Sequence, residues 1–205
     1  MTTTHCLIPP GTLLSEKAVS GRFSVSRQPV REAFIKLAEG GLVQIRPQRG
    51  TFVTRISQEA VRNGCFVREA IERAIARRAA CLITSGQIQT LEELLEEQKK
   101  SVAQHKINDF FRLDDAFHHC ISVAADCERA LETVETIRAT MDRVRYMSLD
   151  HTSSLSMLLE QHGEICQALK KRDETATDRI MQQHLSEISR SITLIREENE
   201  DWFCE

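Results

Sequence analysis

Proline is absent from most of this chain. Of 205 residues only Pro9, Pro10, Pro29 and Pro47 are proline, so nothing past residue 47 carries the ring that breaks a helix interior. Long apolar runs are absent too: none approaches the ~18 residues that a membrane-spanning helix needs. The opening Met1-Thr2-Thr3-Thr4-His5-Cys6 has no basic stretch leading into an apolar core, which excludes a signal peptide of ordinary form. No internal repeat or low-complexity tract stands out. Cysteine is present but unorganised. Its seven copies (Cys6, Cys65, Cys81, Cys120, Cys127, Cys166, Cys204) are an odd number without a C-x-x-C pair. They read as small core fillers in a reducing cytoplasm rather than as a disulfide framework or zinc ribbon. A cytoplasmic protein with no membrane partner is expected.

Charge is distributed unevenly. Residues 1–56 hold eight basic and three acidic side chains, a net +5, whereas the remainder holds 19 basic and 27 acidic, a net −8. A basic head suits a polyanion and an acidic body would be repelled by it. Hydrophobic patterning changes at the same place. Ser15 to about Arg22 and Ser26 to Glu39 read as two short helices, the second ended by Gly40-Gly41. Leu42–Arg46 and Thr51–Arg55 read as strands around Pro47-Gln48-Arg49-Gly50. From Ser57 strand signals cease and apolar residues recur at helical spacing. That spacing predicts six helices, near 58–85, 89–104, 107–125, 128–149, 155–171 and 174–197, with a capping box at Thr90-Leu91-Glu92-Glu93. The fold class is therefore mostly α: a winged helix-turn-helix in residues 1–56 and an all-α bundle in 57–205.

The head carries a specific motif. Ser26 is placed to cap a helix whose first turn contains Pro29. Arg27 and Arg31, four residues apart, project from one side of it. Planar forks near a helix N-terminus are what entry into a major groove requires. With the run from Leu13 to Val53, including Arg49-Gly50-Thr51-Phe52-Val53, the chain resembles the GntR family of bacterial transcription regulators. The resemblance implies DNA contacts by Lys17, Ser26, Arg27, Gln28 and Arg31, and by Arg49 and Gly50 at the wing tip. Gly50 also has a structural reading, since a tight hairpin tip needs positive φ or close backbone approach; Arg46 reaches phosphate or solvent. Members of the family usually have a helix before the P-x-G turn. Here only Met1–Ile8 precede it, and Thr2-Thr3-Thr4 are poor helix formers, so that first helix is expected to be missing.

A second constellation lies in the body. Asp114 and His118 are four residues apart and meet on one helix face; His162 and His184 sit on two later predicted helices. One carboxylate and three imidazoles suit zinc, nickel, manganese or iron, although a single histidine in a helix is more often a core or surface residue. Residues 57–200 resemble the FCD effector domain of the FadR subfamily, and that resemblance implies that Asp114, His118, His162 and His184 are the ligands of a divalent metal, zinc before the others. His105, His119 and His151 fall outside the pattern. Arg68, at the start of the first body helix, matches an arginine that meets an effector carboxylate in the family; the plainer reading is a surface arginine paired with Glu72. Glu72 is read as stabilising helix contacts. Arg143 and Arg145, with Tyr146, are read as surface charge before cavity lining.

These expectations describe a regulator and not an enzyme: a homodimer, acting as a repressor, on a near-palindromic double-stranded operator, released by a small carboxylate or sugar-acid effector that meets the metal and Arg68. The whole chain, including the C-terminal Glu198-Asn199-Glu200-Asp201-Trp202-Phe203 segment, resembles regulators of sugar-acid catabolism operons. Two rivals stand beside this reading. One is a hydrolase or oxygenase built on the Asp-His-His-His set, for which the sequence offers no partnering base. The other keeps the fold and makes the metal purely structural.

Overall fold

The computed structural model describes residues 8–148 and 152–204; Cys6 and His151, and the short N-terminal stretch in which a first helix was not expected, lie outside them. The chain divides into two compact units. One comprises residues 1–64, 136–147 and 188–205, the other 65–135 and 148–187.

The first unit begins with β1 (Leu13–Leu14), α1 (Glu16–Phe23), α2 (Arg27–Glu39), β2 (Val43–Arg46) and β3 (Gly50–Val53). Ser15 caps α1 by accepting from the Ala18 N–H at 3.3 Å. Ser24, at φ 54°, turns the chain between the two helices. Ser26 occupies the N-cap position of α2, but its side chain makes no capping hydrogen bond, so its hydroxyl does not serve the role expected from its position. Gly41, at φ 71°, ends α2: the Leu42 N–H reaches the Leu37 carbonyl at 2.9 Å and the Gly41 N–H that of Ala38 at 3.0 Å. These paired bonds satisfy carbonyls that a helix end leaves open. The three strands form an antiparallel sheet in the order β1-β3-β2, with Leu13 opposite Phe52 and Arg46 opposite Gly50. Gly50 has φ 108°, and a Cβ there would meet Leu13 Cδ1 at 2.5 Å. The positive φ is therefore the reason for a glycine at the tip; the close neighbour is a side-chain end and not backbone. Val30, Phe34, Leu42, Val43 and Val53 fill the interior of this head.

Two short strands complete the unit and carry no sequence signal. β4 (Ile56–Ser57) follows the wing, and β5 (Phe203–Cys204) pairs with it in parallel after a 3₁₀ turn over Glu200–Trp202. Arg143, 2 % exposed, donates from Nη1 to the Thr54 carbonyl at 2.8 Å, and its guanidinium lies 5.7 Å from the Trp202 ring. Arg145 is also buried and pairs with Asp142 at 3.3 Å. The surface reading of both arginines is thus corrected: their aliphatic stems pack inside while the charged ends find acceptors.

Six helices span the body: α3 (Gln58–Leu82), α4 (Ser85–Ala103), α5 (Ile107–Ala124), α6 (Glu128–Ser148), α7 (Thr152–Lys170) and α8 (Glu174–Glu198). Each matches a sequence expectation to within a few residues at either end. The start of α4 differs. Its capping box is formed by Thr84 and Gln87, while Thr90 lies inside the helix with its hydroxyl on the Gly86 carbonyl. Both four-residue strings fit the pattern; the one nearer the end of α3 serves as the cap.

The core of the second unit is an apolar cluster including Leu91, Leu95, Phe117, Ile121, Ile165, Leu169, Met181 and Leu185, with α4 packed on α5 and α7. Cys65 and Cys166 are buried, and burial pushes the Cys166 thiol up to about 11. Cys81 and Cys204 are exposed, so the core-filler reading does not extend to all seven.

Candidate metal centre and nucleic-acid interface

The amphipathic spacing that makes α5 a helix also turns Asp114 and His118 inward with Phe110 and Phe117. From α7 comes His162 and from α8 His184. All four are buried, at 5 % exposure or less. One ligand-capable atom from each lies within 4.8 Å of the others. His118 Nε2 is 3.2 Å from His184 Nε2, and His162 Nε2 is 3.4 Å from Asp114 Oδ1. Two nitrogens sharing a tetrahedral ion with bonds of ~2.0–2.1 Å lie about 3.3 Å apart. Those two separations fit a cation of that size.

The surroundings fix the rings. His162 is stacked on Phe117 with centroids 4.5 Å apart and 23° between planes. His118 Nδ1 is 2.6 Å from Glu72 Oε2, His162 Nδ1 is 2.8 Å from Gln98 Oε1, and His184 Nδ1 is 3.1 Å from Gln161 Oε1. Glu72 lies on α3, and its other oxygen accepts from Arg68 Nε at 2.6 Å. Burial pushes the Glu72 carboxyl up, but the Arg68 guanidinium, charged and hydrogen-bonded to it, pulls harder and holds it below the usual carboxylate range. His184 is held well below the usual imidazole range by burial first and then by His162 and His118, which leaves it neutral, as a metal ligand must be. Asp114, Glu72 and Arg68 thus set two carboxylates and one guanidinium beside the three imidazoles in a buried setting.

Arg68 sits neither on the surface nor apart from Glu72: it is 4 % exposed and ion-paired with that residue. Its Nη2 has no hydrogen-bond partner among the described residues. His105 and His119 are exposed, away from the cluster. Sequence reasoning missed Gln98 and Gln161 and gave Glu72 only a packing role. The one available signal was the four-residue step from Arg68 to Glu72.

On the head, Lys17, Ser26, Arg27, Gln28, Arg31, Arg49 and Gly50 are all exposed. Arg31 is held by Glu16 through two contacts of 3.1 Å, Gln28 donates to Glu32 at 3.0 Å, and Arg46 lies 5.1 Å from the Phe52 ring. The basic residues of α2 and the wing tip thus present donors to solvent on a unit whose apolar side is buried.

A helix-turn-helix with a small antiparallel wing, joined in sequence to helices that enclose a carboxylate-histidine cluster, defines a DNA-binding regulator with a second, helical domain. Residues 7–53 match the family described as bacterial regulatory proteins, gntR family, and residues 65–187 match the FCD domain. The chain belongs to the gntR family of bacterial transcription regulators and carries the FCD domain. It is 59 % identical over 201 residues to the HTH-type transcriptional repressor RspR of Escherichia coli (strain K12), covering 98 % of this chain and 88 % of that one. It is 25 % identical over 187 residues to the gluconate operon transcriptional repressor of Bacillus subtilis (strain 168), covering 89 % and 76 %. Among solved structures, E. coli McbR/YncC has the same fold, with a TM-score of 0.82 at 17 % identity over 96 % of this chain and 92 % of that one. These relatives are regulators, which sets aside the metalloenzyme reading. No helix among the described residues is long and apolar enough to cross a membrane.

Proposed function

We propose that this protein is a repressor that binds a near-palindromic operator as a homodimer and is released by a small carboxylate, in the manner of a sugar acid, acting at a metal-containing FCD domain. Lys17, Ser26, Arg27, Gln28 and Arg31 would meet one major-groove half-site, and Arg49 and Gly50 the adjoining minor groove or phosphate. Asp114, His118, His162 and His184 would hold a divalent ion, zinc before nickel, manganese or iron. The ion supplies a Lewis-acidic centre for an effector oxygen.

One observation carries the metal part of this reading. The Nδ1 atoms of His118 and His184 both lie close to acceptor oxygens; with a proton on each Nδ1, the two Nε2 lone pairs face each other across 3.2 Å. Two lone pairs at that distance repel unless something positive lies between them. The buried Nη2 of Arg68 supports the effector part, because a guanidinium donor without an acceptor matches a carboxylate oxygen. An effector favouring one arrangement of the dimer's heads would shift operator affinity by its differential binding to the two arrangements.

Selection of bound duplexes from a random pool, at two salt concentrations, tests the DNA part; an enriched palindrome supports a dimeric reader, and salt-sensitive binding without enrichment counts against it. With the selected duplex in hand, a panel of sugar acids is titrated before and after chelation. Loss of the response on chelation supports an effector held at the metal. A response that survives complete metal removal refutes it, and a fall in Tm in a protein that never responds makes the metal structural.

A further inference from the structure

We propose that Glu72, Gln98 and Gln161 form an outer ring of acceptors that locks all three imidazoles with Nδ1–H outward and Nε2 inward, which makes them the positioning residues of the cation site. This rests on the metal reading above but is argued from different atoms.

Two of the three locks follow from chemistry alone. His118 Nδ1 lies 2.6 Å from Glu72 Oε2, a close approach that is not aligned as a hydrogen bond; an ionised carboxylate has no proton to give, so a hydrogen shared by the pair belongs to the ring nitrogen. Arg68 keeps Glu72 ionised and aimed by donating to its other oxygen. The Gln161 amide is oriented from its far end: its Nε2 donates to Glu187 Oε1 at 3.4 Å, a carboxylate that can only accept. That leaves Oε1 toward His184 Nδ1 at 3.1 Å, and His184 too must donate from Nδ1. Gln161 is the chain neighbour of His162, yet it serves His184 on another helix. The third lock is Gln98, whose Oε1 lies 2.8 Å from His162 Nδ1 while Phe117 fixes the plane of the ring. All three acceptors are at most 4 % exposed, so water does not compete for these bonds.

The acceptors are not equivalent. Glu72 brings a negative charge to the His118 ring, whereas the two amides orient their rings without adding charge. The ring accordingly sets both the geometry of the site and the balance of charge around it.

The test uses zinc as probe on the full chain. Zinc Kd is measured by competition with a chromophoric chelator for wild type, Glu72→Gln, Glu72→Ala, Gln98→Leu and Gln161→Leu. The ¹⁵N shifts of the histidine rings are recorded in parallel on zinc-free protein. Outer-shell losses are typically 10- to 100-fold in metal affinity. Kd should therefore rise about 10- to 100-fold in Glu72→Ala, Gln98→Leu and Gln161→Leu, with Glu72→Gln between wild type and Glu72→Ala. In wild type, His118 and His184 should each show the Nδ1–H tautomer, with His118 becoming a mixture in Glu72→Ala and His184 in Gln161→Leu. Gln161→Leu keeps the test available if Glu72→Ala, which strands Arg68, does not fold. Folded variants that bind zinc within about twofold of wild type and keep their tautomers overturn the ring. A wild type that takes up no zinc overturns the cation reading instead, and the tautomers of His118 and His184 then decide for or against the ring by themselves.

Discussion

Arg31 on the recognition helix and Glu16 on the helix before it are joined by two parallel contacts, Nε to Oε1 and Nη2 to Oε2, each 3.1 Å. The pair pins the side chain expected to read DNA to its own scaffold. Both residues are solvent-facing, with side-chain exposures of 59 % and 33 %, so the pair adds little to folding. Its consequence is for binding: Glu16 must share or surrender Arg31 when a phosphate or guanine edge arrives. Arg31→Ala should weaken operator binding about 10- to 100-fold at unchanged Tm, the range for loss of a base-reading fork. Glu16→Ala should leave the fold intact and strengthen binding, because it removes a competitor and an anion near the phosphates. Fluorescence anisotropy with the selected duplex reads both. Equal affinities for wild type and Arg31→Ala would remove Arg31 from the interface.

The ligand set makes its own demand. One divalent ion per chain is expected by mass spectrometry of the metal-saturated protein. His184→Ala should drop that stoichiometry well below one, and Asp114→Asn should weaken retention while keeping the helix, since the substitution removes only charge. Full stoichiometry in His184→Ala strikes it from the ligands.

How much of this was legible in the sequence depends on the range of each signal. The body helices were, because periodicity repeats every turn and no proline interrupts it. Asp114 and His118 were legible as a pair because four residues is one helical turn. His162 and His184 came together with them only through family resemblance, since no local pattern says which of several helix-borne histidines face one another. Glu72, Gln98 and Gln161 escaped because glutamate and glutamine populate every exposed helix face, and only three-dimensional packing shows that these three are buried. The β4–β5 pairing joins Ile56 to Phe203 across most of the chain, and two-residue strands have no alternation to detect.

Phe117 should prove costly to remove. It is fully buried and stacked on His162, so Phe117→Ala deletes a core ring and a positioning contact at once. A loss of about 3–5 kcal/mol is expected, measured by urea unfolding of the metal-free protein. Phe117→Leu should recover most of that stability but less of the zinc affinity, because it refills volume without restoring the stacked plane.

A smaller effect carries a sign in pH. Asp178 is held below its ordinary range chiefly by its hydrogen bonds with Arg73, one of 2.7 Å, with Arg77 contributing at longer reach. A carboxylate whose folded pKa is depressed lends stability above its unfolded value, near ~3.9, and loses it as pH falls through the folded value. Asp178→Asn should then cost no more than about 1 kcal/mol near neutrality, as befits a partly exposed pair, and progressively less as pH falls through the folded value. Acid unfolding followed by far-UV circular dichroism should show the two proteins converging as pH drops. A gap that is constant across the titration would assign the loss to packing instead of charge.

Arg143 is the opposite case, a charge committed to the interior. Its Nη1 bond to the Thr54 carbonyl ties α6 to the segment that leaves the wing, where β5 also pairs, and Trp202 lies within cation–π reach of its guanidinium. Arg143→Ala removes a charge-assisted bond and leaves a carbonyl with less to satisfy it, a loss of about 2 kcal/mol. For a chain of this size that is a drop in Tm of roughly 4–8 °C. Because both partners belong to the unit that holds the head, the damage should concentrate there. Hydrogen exchange should accelerate at Thr54–Ser57 and Phe203–Cys204, while amides of α4 and α5 in the other unit keep their protection. Uniform acceleration throughout the chain would show that Arg143 supports global stability and not this local junction.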